Sequence, residues 1–191
     1  MTARLDLIAH GATAATRAAR FPDDEALEAS AVGGLEALRG RLRSDQRALA
    51  APARATLETA VALGLDPHVE TAIRDCDYGR WRGRTLTDIS ARDPEGFAAW
   101  LRDPAAAPHG GESLTALIER AGAWLAQCLA RDSATVAVTH ASFVRAAIVS
   151  TFGAPASAFW RIDVAPLGLA RLSGREGRWN LVALRALDAQ A

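Results

Sequence analysis

Apolar and polar positions change period several times along the chain, and the changes predict alternating strands and helices. Leu5-Asp6-Leu7-Ile8 is a short, mostly apolar run that stops at Ala9-His10-Gly11, as a buried strand stops at a loop. Phe21-Pro22-Asp23-Asp24-Glu25 has loop composition, and Leu35, Leu38 and Leu42 follow at helical spacing. Arg47-Ala48-Leu49-Ala50 predicts a second strand, and a helix is expected from about Pro52 to Leu63, with Gly64 stopping it. Val69 to Ile73 reads as a short strand before the turn-rich stretch Asp75 to Gly83. Two short helical pieces are expected within Thr85 to Leu101. Leu114, Leu117, Ile118, Ala121, Leu125 and Leu129 give the strongest helical periodicity in the chain. Thr135 to Thr139 reads as a central strand, with a helix from Ser142 to about Thr151 directly behind it. The tail predicts an antiparallel hairpin: Gly168 to Leu172, a turn over Ser173 to Gly177, then Trp179 to Leu184.

This alternation predicts an α/β fold, a three-layer α/β/α sandwich around a mostly parallel central sheet. With 191 residues, no internal repeat and no linker, one domain over 1–191 is expected.

Charge narrows the possible partners. The 22 basic residues, all arginine, balance 22 acidic ones, so no basic excess is offered to nucleic acid or to a membrane surface. Two cysteines far apart, Cys76 and Cys128, make a disulfide framework or thiolate zinc site a poor reading. The start, Met1 to Asp6, carries an acid where a secretory leader needs its apolar core, and no apolar run has spanning length. A cytoplasmic location is the expectation.

His10 and His140 both fall immediately behind predicted strands, where open α/β sheets collect their ligands. The helix behind His140 would point its free N–H groups the same way, so the pair suits an anion. The plainer alternative is that each histidine only caps a strand end.

More pattern surrounds them. Leu5-Asp6-Leu7-Ile8-Ala9-His10-Gly11-Ala12-Thr13 resembles the opening strand and Arg-His-Gly-Glu-Thr signature of the histidine phosphatase superfamily (phosphoglycerate-mutase-like). Ile73 to Gly83 is similar to that family's "acid, any, Asp, Phe, Gly, any, Trp, Glu, Gly" segment. His109-Gly110-Gly111-Glu112-Ser113 resembles its Pro-Gly-Gly-Glu-Ser loop, and Val136 to Arg145 its second histidine motif. The four occur in family order.

The resemblance implies a phosphomonoester hydrolase acting on a small phosphorylated molecule, with no cofactor and no metal. His10 would carry a transient phosphohistidine, Asp75 would serve as general acid and base, and His140 would donate to the non-bridging oxygens. Gly11, Thr13, Thr16, Arg17, Arg54, Glu112 and Ala141 would contact substrate. Tyr78 and Trp81, beside Asp75, are candidates for a pocket floor. Glu112 is equally well explained as an acid in a helix's first turn, and Arg145 as holding a helix end or an acidic neighbour.

Two departures count against the activity. The family's arginine before the first histidine is Ala9 here, and its second phosphate-clamping arginine aligns with Ala55. Arg54 lies one residue early and would point about 100° away on a helix. Either Arg17, Arg20 or Arg54 replaces the clamps, or the chain is a catalytically impaired relative that binds a phosphorylated or anionic ligand. A serine hydrolase is disfavoured, since no Gly-x-Ser-x-Gly elbow occurs.

Overall fold

A computed structural model describes residues 3–36, 38–40, 42 and 46–187. Met1 and Thr2, at the start of the stretch read for a leader, lie outside these, as do residues 188–191.

Strands β1 (Ala3–Ala9), β2 (Arg47–Ala50), β3 (His68–Val69), β4 (Ala134–Thr139), β5 (Gly168–Arg175) and β6 (Arg178–Ala186) form one sheet in the order β3-β2-β4-β1-β5-β6. The first four run parallel, and the β5–β6 hairpin adds antiparallel strands at the β1 edge. Each parallel crossover carries helix: α1 (Ala14–Arg17), α2 (Ala29–Glu36), α3 (Arg54–Ala62), α4 (Leu86–Arg92), α5 (Pro94–Arg102) and α6 (Leu114–Ala130), with α7 (Ala141–Phe152) joining β4 to the hairpin.

Alternation along the central strands sorts the two cores. Leu5 and Leu7 of β1 and Ala137 of β4 face α6 and α7, packing with Leu117, Trp124, Phe143 and Val144. Ile8, Val136 and Val138 face the other side, against Leu35, Leu38, Ala60 and Leu63. The sheet is therefore covered on both faces, which is why its strands read as near-continuous apolar runs. Asp6, buried within β1, is met by a bidentate pair with Arg171 directly opposite on β5, at 2.8 and 2.9 Å.

Several boundaries differ from the sequence expectation, each for a local reason. Val69 to Ile73 does not continue as a strand. The Glu70 side chain accepts from Ala72 N and starts a 3-10 turn over Thr71–Ile73. The Leu35–Leu38–Leu42 pattern is only partly helical: α2 starts at Ala29 and ends at Glu36, with Gly40 in the left-handed region. The hairpin strands are longer than expected because the turn is just Glu176-Gly177, both at positive φ, the geometry that suits a two-residue hairpin. A 3-10 helix over Ala156–Arg161 carries no periodicity and was not anticipated.

Candidate active site

β1 and β4 are neighbours in parallel register, with Ala9 opposite Thr139, so the residues after them emerge side by side. Those residues are His10 and His140. Their rings stand edge to face with centroids 5.1 Å apart, at the carboxyl end of the sheet. A cleft of about 650 Å³ opens over them.

The His10 ring is fixed by its neighbour. Nδ1 lies 2.8 Å from the Gly11 carbonyl, so it carries the hydrogen and donates it. The lone pair is then on Nε2. Gly11 in turn donates its N–H to Thr59 Oγ1 at 3.0 Å and packs against Leu27 and Leu35, where a β-carbon would crowd Leu27 at 3.1 Å. Gly11 thus shapes the loop after His10 from behind and does not line the cleft.

His140 is the N-cap of α7, but its side chain makes no capping bond, and among the described residues the first-turn N–H groups of α7 have no side-chain acceptor. Such a helix start favours an anion. The ring is buried, and neither nitrogen has a hydrogen-bond partner among the described residues. Nδ1 faces Asp75 Oδ2 at 3.4 Å, at ion-pair distance without hydrogen-bond geometry. Burial holds the His140 pKa below its usual 6.5, with Asp75 opposing that shift and the nearby His10 adding to it.

A pH dependence follows. The unfolded chain takes up a proton on this histidine as pH falls through about 6.5, while the folded site resists. Buried His109 behaves the same way, its pKa also lowered chiefly by burial. This contribution to stability is whole above pH 6.5 and is lost as pH falls below it. Thermal melts from pH 7.5 to 5.5 should show Tm declining, with orthovanadate reducing the decline because a bound anion favours protonated His140. A Tm flat over that range, with and without vanadate, would contradict the assignment.

Asp75 is presented by the loop after the 3-10 turn. Its Oδ1 accepts from Cys76 N at 2.8 Å and from the Ser142 hydroxyl, which leaves Oδ2 toward the cleft and His140. Ser142, on the second residue of α7, was not singled out from sequence; its place two residues behind His140 was the available signal.

Arg120 of α6 holds that loop, and sequence reasoning missed it. Its guanidinium forks onto Glu112 at 2.8 and 2.7 Å and donates to the carbonyls of Ala72, Arg74 and Asp75 at 2.7 to 3.1 Å. Glu112 therefore faces Arg120, with Arg74 at 3.8 Å, and does not line the cleft. Glycine makes the loop packing possible. A β-carbon on Gly111 would stand 2.0 Å from the Asp77 carbonyl, and one on Gly79 (φ +46°) 2.2 Å from that of His109.

Thr13, Thr16 and Ala141 line the cleft, with Thr13 and Thr16 forming the capping box that starts α1. Of the three arginines considered as replacement clamps, Arg20 lines it, has an exposed side chain, and has no side-chain partner among the described residues. Arg17 pairs with Glu28 and Arg54 with Glu58, both arginines are exposed, and neither lines the cleft. A carboxylate within easy reach explains each of these turns. Arg74, Arg82 and Arg145 also line the cleft, and Ala55 lies on its wall. Tyr78 lines it too, whereas Trp81 is buried outside it, packed in tilted and edge-on contacts with Phe21, Phe97 and Trp100. Among the described residues no group of three His, Cys, Asp or Glu is placed to hold a metal ion, and no helix is long and apolar enough to cross a membrane.

Comparisons with known proteins place the fold and the family. A bifunctional protein of Mycobacterium tuberculosis is 33% identical over 97 residues, covering 49% of this chain but 26% of its own length. The chain thus spans about a quarter of that relative. The glucosyl-3-phosphoglycerate phosphatase of Mycolicibacterium vanbaalenii is 28% identical over 165 residues, covering 71% of this chain and 73% of its own. The solved structure of a mycobacterial glucosyl-3-phosphoglycerate phosphatase complexed with VO3 superposes with a TM-score of 0.84 at 27% identity, over 96% of this chain and 99% of that one. The sequence pattern of the histidine phosphatase superfamily (branch 1) matches residues 5–186, and the chain belongs to that family.

Proposed function

We propose that this chain hydrolyses a small phosphomonoester through a phosphohistidine on His10. The observation that supports this most is the 2.8 Å contact of His10 Nδ1 with the Gly11 carbonyl, an acceptor that assigns the hydrogen to Nδ1 and turns Nε2 to the role of nucleophile beside His140.

In the first step Nε2 attacks phosphorus in line and the P–O ester bond breaks. The leaving oxygen takes a proton from Asp75, whose Oδ2 is the oxygen not already engaged. Asp75, now a carboxylate, then takes a proton from water as that water attacks phosphorus. The P–N bond breaks, inorganic phosphate leaves and His10 regains its lone pair. Charge on the non-bridging oxygens is met by His140 and by the open N–H groups of α7.

Ala9 and Ala55 favour a second reading, an anion-binding domain that no longer turns over. Loss of a charge-assisted contact costs about 1.5–3 kcal/mol, so two bare positions weigh heavily. Arg20, which lines the cleft, is the candidate to offset this in the catalytic reading. Purified protein should hydrolyse p-nitrophenyl phosphate and be inhibited by orthovanadate. Arg20→Ala should raise KM by roughly 10- to 100-fold, at about 1.4 kcal/mol per decade. Neither turnover nor vanadate inhibition across a broad phosphomonoester panel would leave the binding reading in its place.

A further inference from the structure

His140 and Asp75 are close without being joined. Asp75 Oδ2 stands 3.4 Å from His140 Nδ1, and the contact lacks hydrogen-bond geometry. Neither imidazole nitrogen has a hydrogen-bond partner among the described residues. A buried imidazole and a carboxylate at this range ordinarily close into a hydrogen-bonded pair, because each satisfies the other. Something keeps them apart.

The restraint lies on the other carboxylate oxygen. Oδ1 accepts from Cys76 N at 2.8 Å and from the Ser142 hydroxyl. The first donor belongs to the loop that carries Asp75, so it orients the carboxyl but travels with it. The second is anchored elsewhere. Ser142 is the second residue of α7, 8% exposed, and is followed by Phe143 and Val144, both fully buried. Val144 N donates to His140 O at 3.0 Å, so Ser142 and His140 belong to one closed helical turn. The Ser142 hydroxyl therefore ties Asp75 to a point that is fixed relative to the His140 ring and is not on it.

We propose that Ser142 is a positioning residue that holds the Asp75 carboxyl off His140 and directs its exchangeable proton to Oδ2. This rests on the phosphatase reading for what that proton does, but not for the restraint itself. With both donors on Oδ1, a protonated Asp75 carries its hydrogen on Oδ2, the oxygen turned toward the cleft. Asp75 closed onto His140 Nδ1 would offer that oxygen to the imidazole instead. The leaving alcohol would lose its proton donor, and His140 would be drawn away from the non-bridging oxygens. The charged groups that act on His140 are Asp75, His10, Arg120 and Asp24, and Asp75 is the one that the Ser142 hydroxyl holds.

The first test needs no substrate. NMR titration of the His140 side chain in wild-type, Ser142→Ala and Ser142→Thr proteins reads the Asp75–His140 contact. Removing the hydroxyl should let the pair close, so the His140 midpoint should rise in Ser142→Ala. Ser142→Thr, which keeps a hydroxyl, should return it toward wild type. His109, whose ring packs against Tyr78 and Trp81, is the internal reference and should not move. An unchanged or lowered His140 midpoint in folded Ser142→Ala overturns the proposal.

The second test is kinetic. Ser142→Ala should lower kcat for an alkyl ester such as glycerol 3-phosphate by about 10- to 100-fold, since a misplacement of about 1 Å can cost that much. Hydrolysis of p-nitrophenyl phosphate should fall by less than about 3-fold, with KM little changed for either ester. In an Asp75→Asn background, Ser142→Ala should lower kcat no further, because the group it positions is already gone. Equal losses on both esters, or a full additional loss in the Asp75→Asn background, overturn the proposal. If wild-type protein shows no turnover, the phosphatase reading fails and the His140 titration alone decides the restraint.

Discussion

His10→Ala should eliminate hydrolysis of p-nitrophenyl phosphate, lowering kcat by at least about 10⁴-fold, and should leave the fold intact. No other nucleophile is placed to substitute. The His140 ring is buried next to Asp75, and the Cys76 thiol is pushed up by burial and donates to the Glu112 carbonyl. Acid-labile phosphate should be trapped on the wild-type chain during turnover and be absent from His10→Ala. Asp75→Asn provides the complementary readout. A proton donor contributes typically 10²–10⁴-fold, but only where the leaving group needs the proton. Its effect should therefore be large for an alkyl phosphate and small for nitrophenolate. Full activity in His10→Ala, or equal losses for both leaving groups in Asp75→Asn, would refute the assigned roles.

Removing Arg120 should be the most damaging change outside the cleft. Its side chain and that of Glu112 are 14% and 11% exposed, and its guanidinium also serves three carbonyls of the loop that carries Asp75. Breaking a buried pair from one side strands the other charge and costs about 3–5 kcal/mol, a large part of the ~5–15 kcal/mol that a domain has. Urea melts of Arg120→Met should show that loss. Glu112→Gln with Arg120→Met should recover some of it, because no charge is then left alone. Arg120 is a positioning residue, so the surviving folded Arg120→Met should lose turnover of alkyl phosphates more than of nitrophenyl phosphate, with KM little changed. Uniform loss on both substrates would point to a merely structural role.

The fold was legible where packing and periodicity agree. β1, β4 and α6 lie nearly where apolar spacing put them, because each is buried along a full face. The histidine pair was legible because a parallel sheet places equivalent strand ends together. What sequence could not reveal were side-chain choices made in three dimensions. Arg17 and Arg54 were reasonable clamps by position, but each met a carboxylate on its own surface first. Glu112 belonged to a recognisable loop, yet its partner was eight residues further on a helix. Arg120 and the 3-10 helix that contains Trp160 carry no local functional pattern, and Ser142 had only its place behind His140; their roles become visible once distant segments are packed together.

The position of β1 in the sheet also bears on how the protein is made. Leu5 pairs with Thr135 on one side and Leu172 on the other, and the buried Asp6 finds its cation in Arg171. During synthesis the strand that leads to His10 emerges before either of its neighbours and waits, with both edges bare, for partners translated much later. Loop closures of that span are slow, and unpaired apolar edges invite association. A nascent chain halted before β5 would hold β1 with one open edge and the Asp6 carboxylate without Arg171, so β1 is enclosed on both sides only once the hairpin has been made.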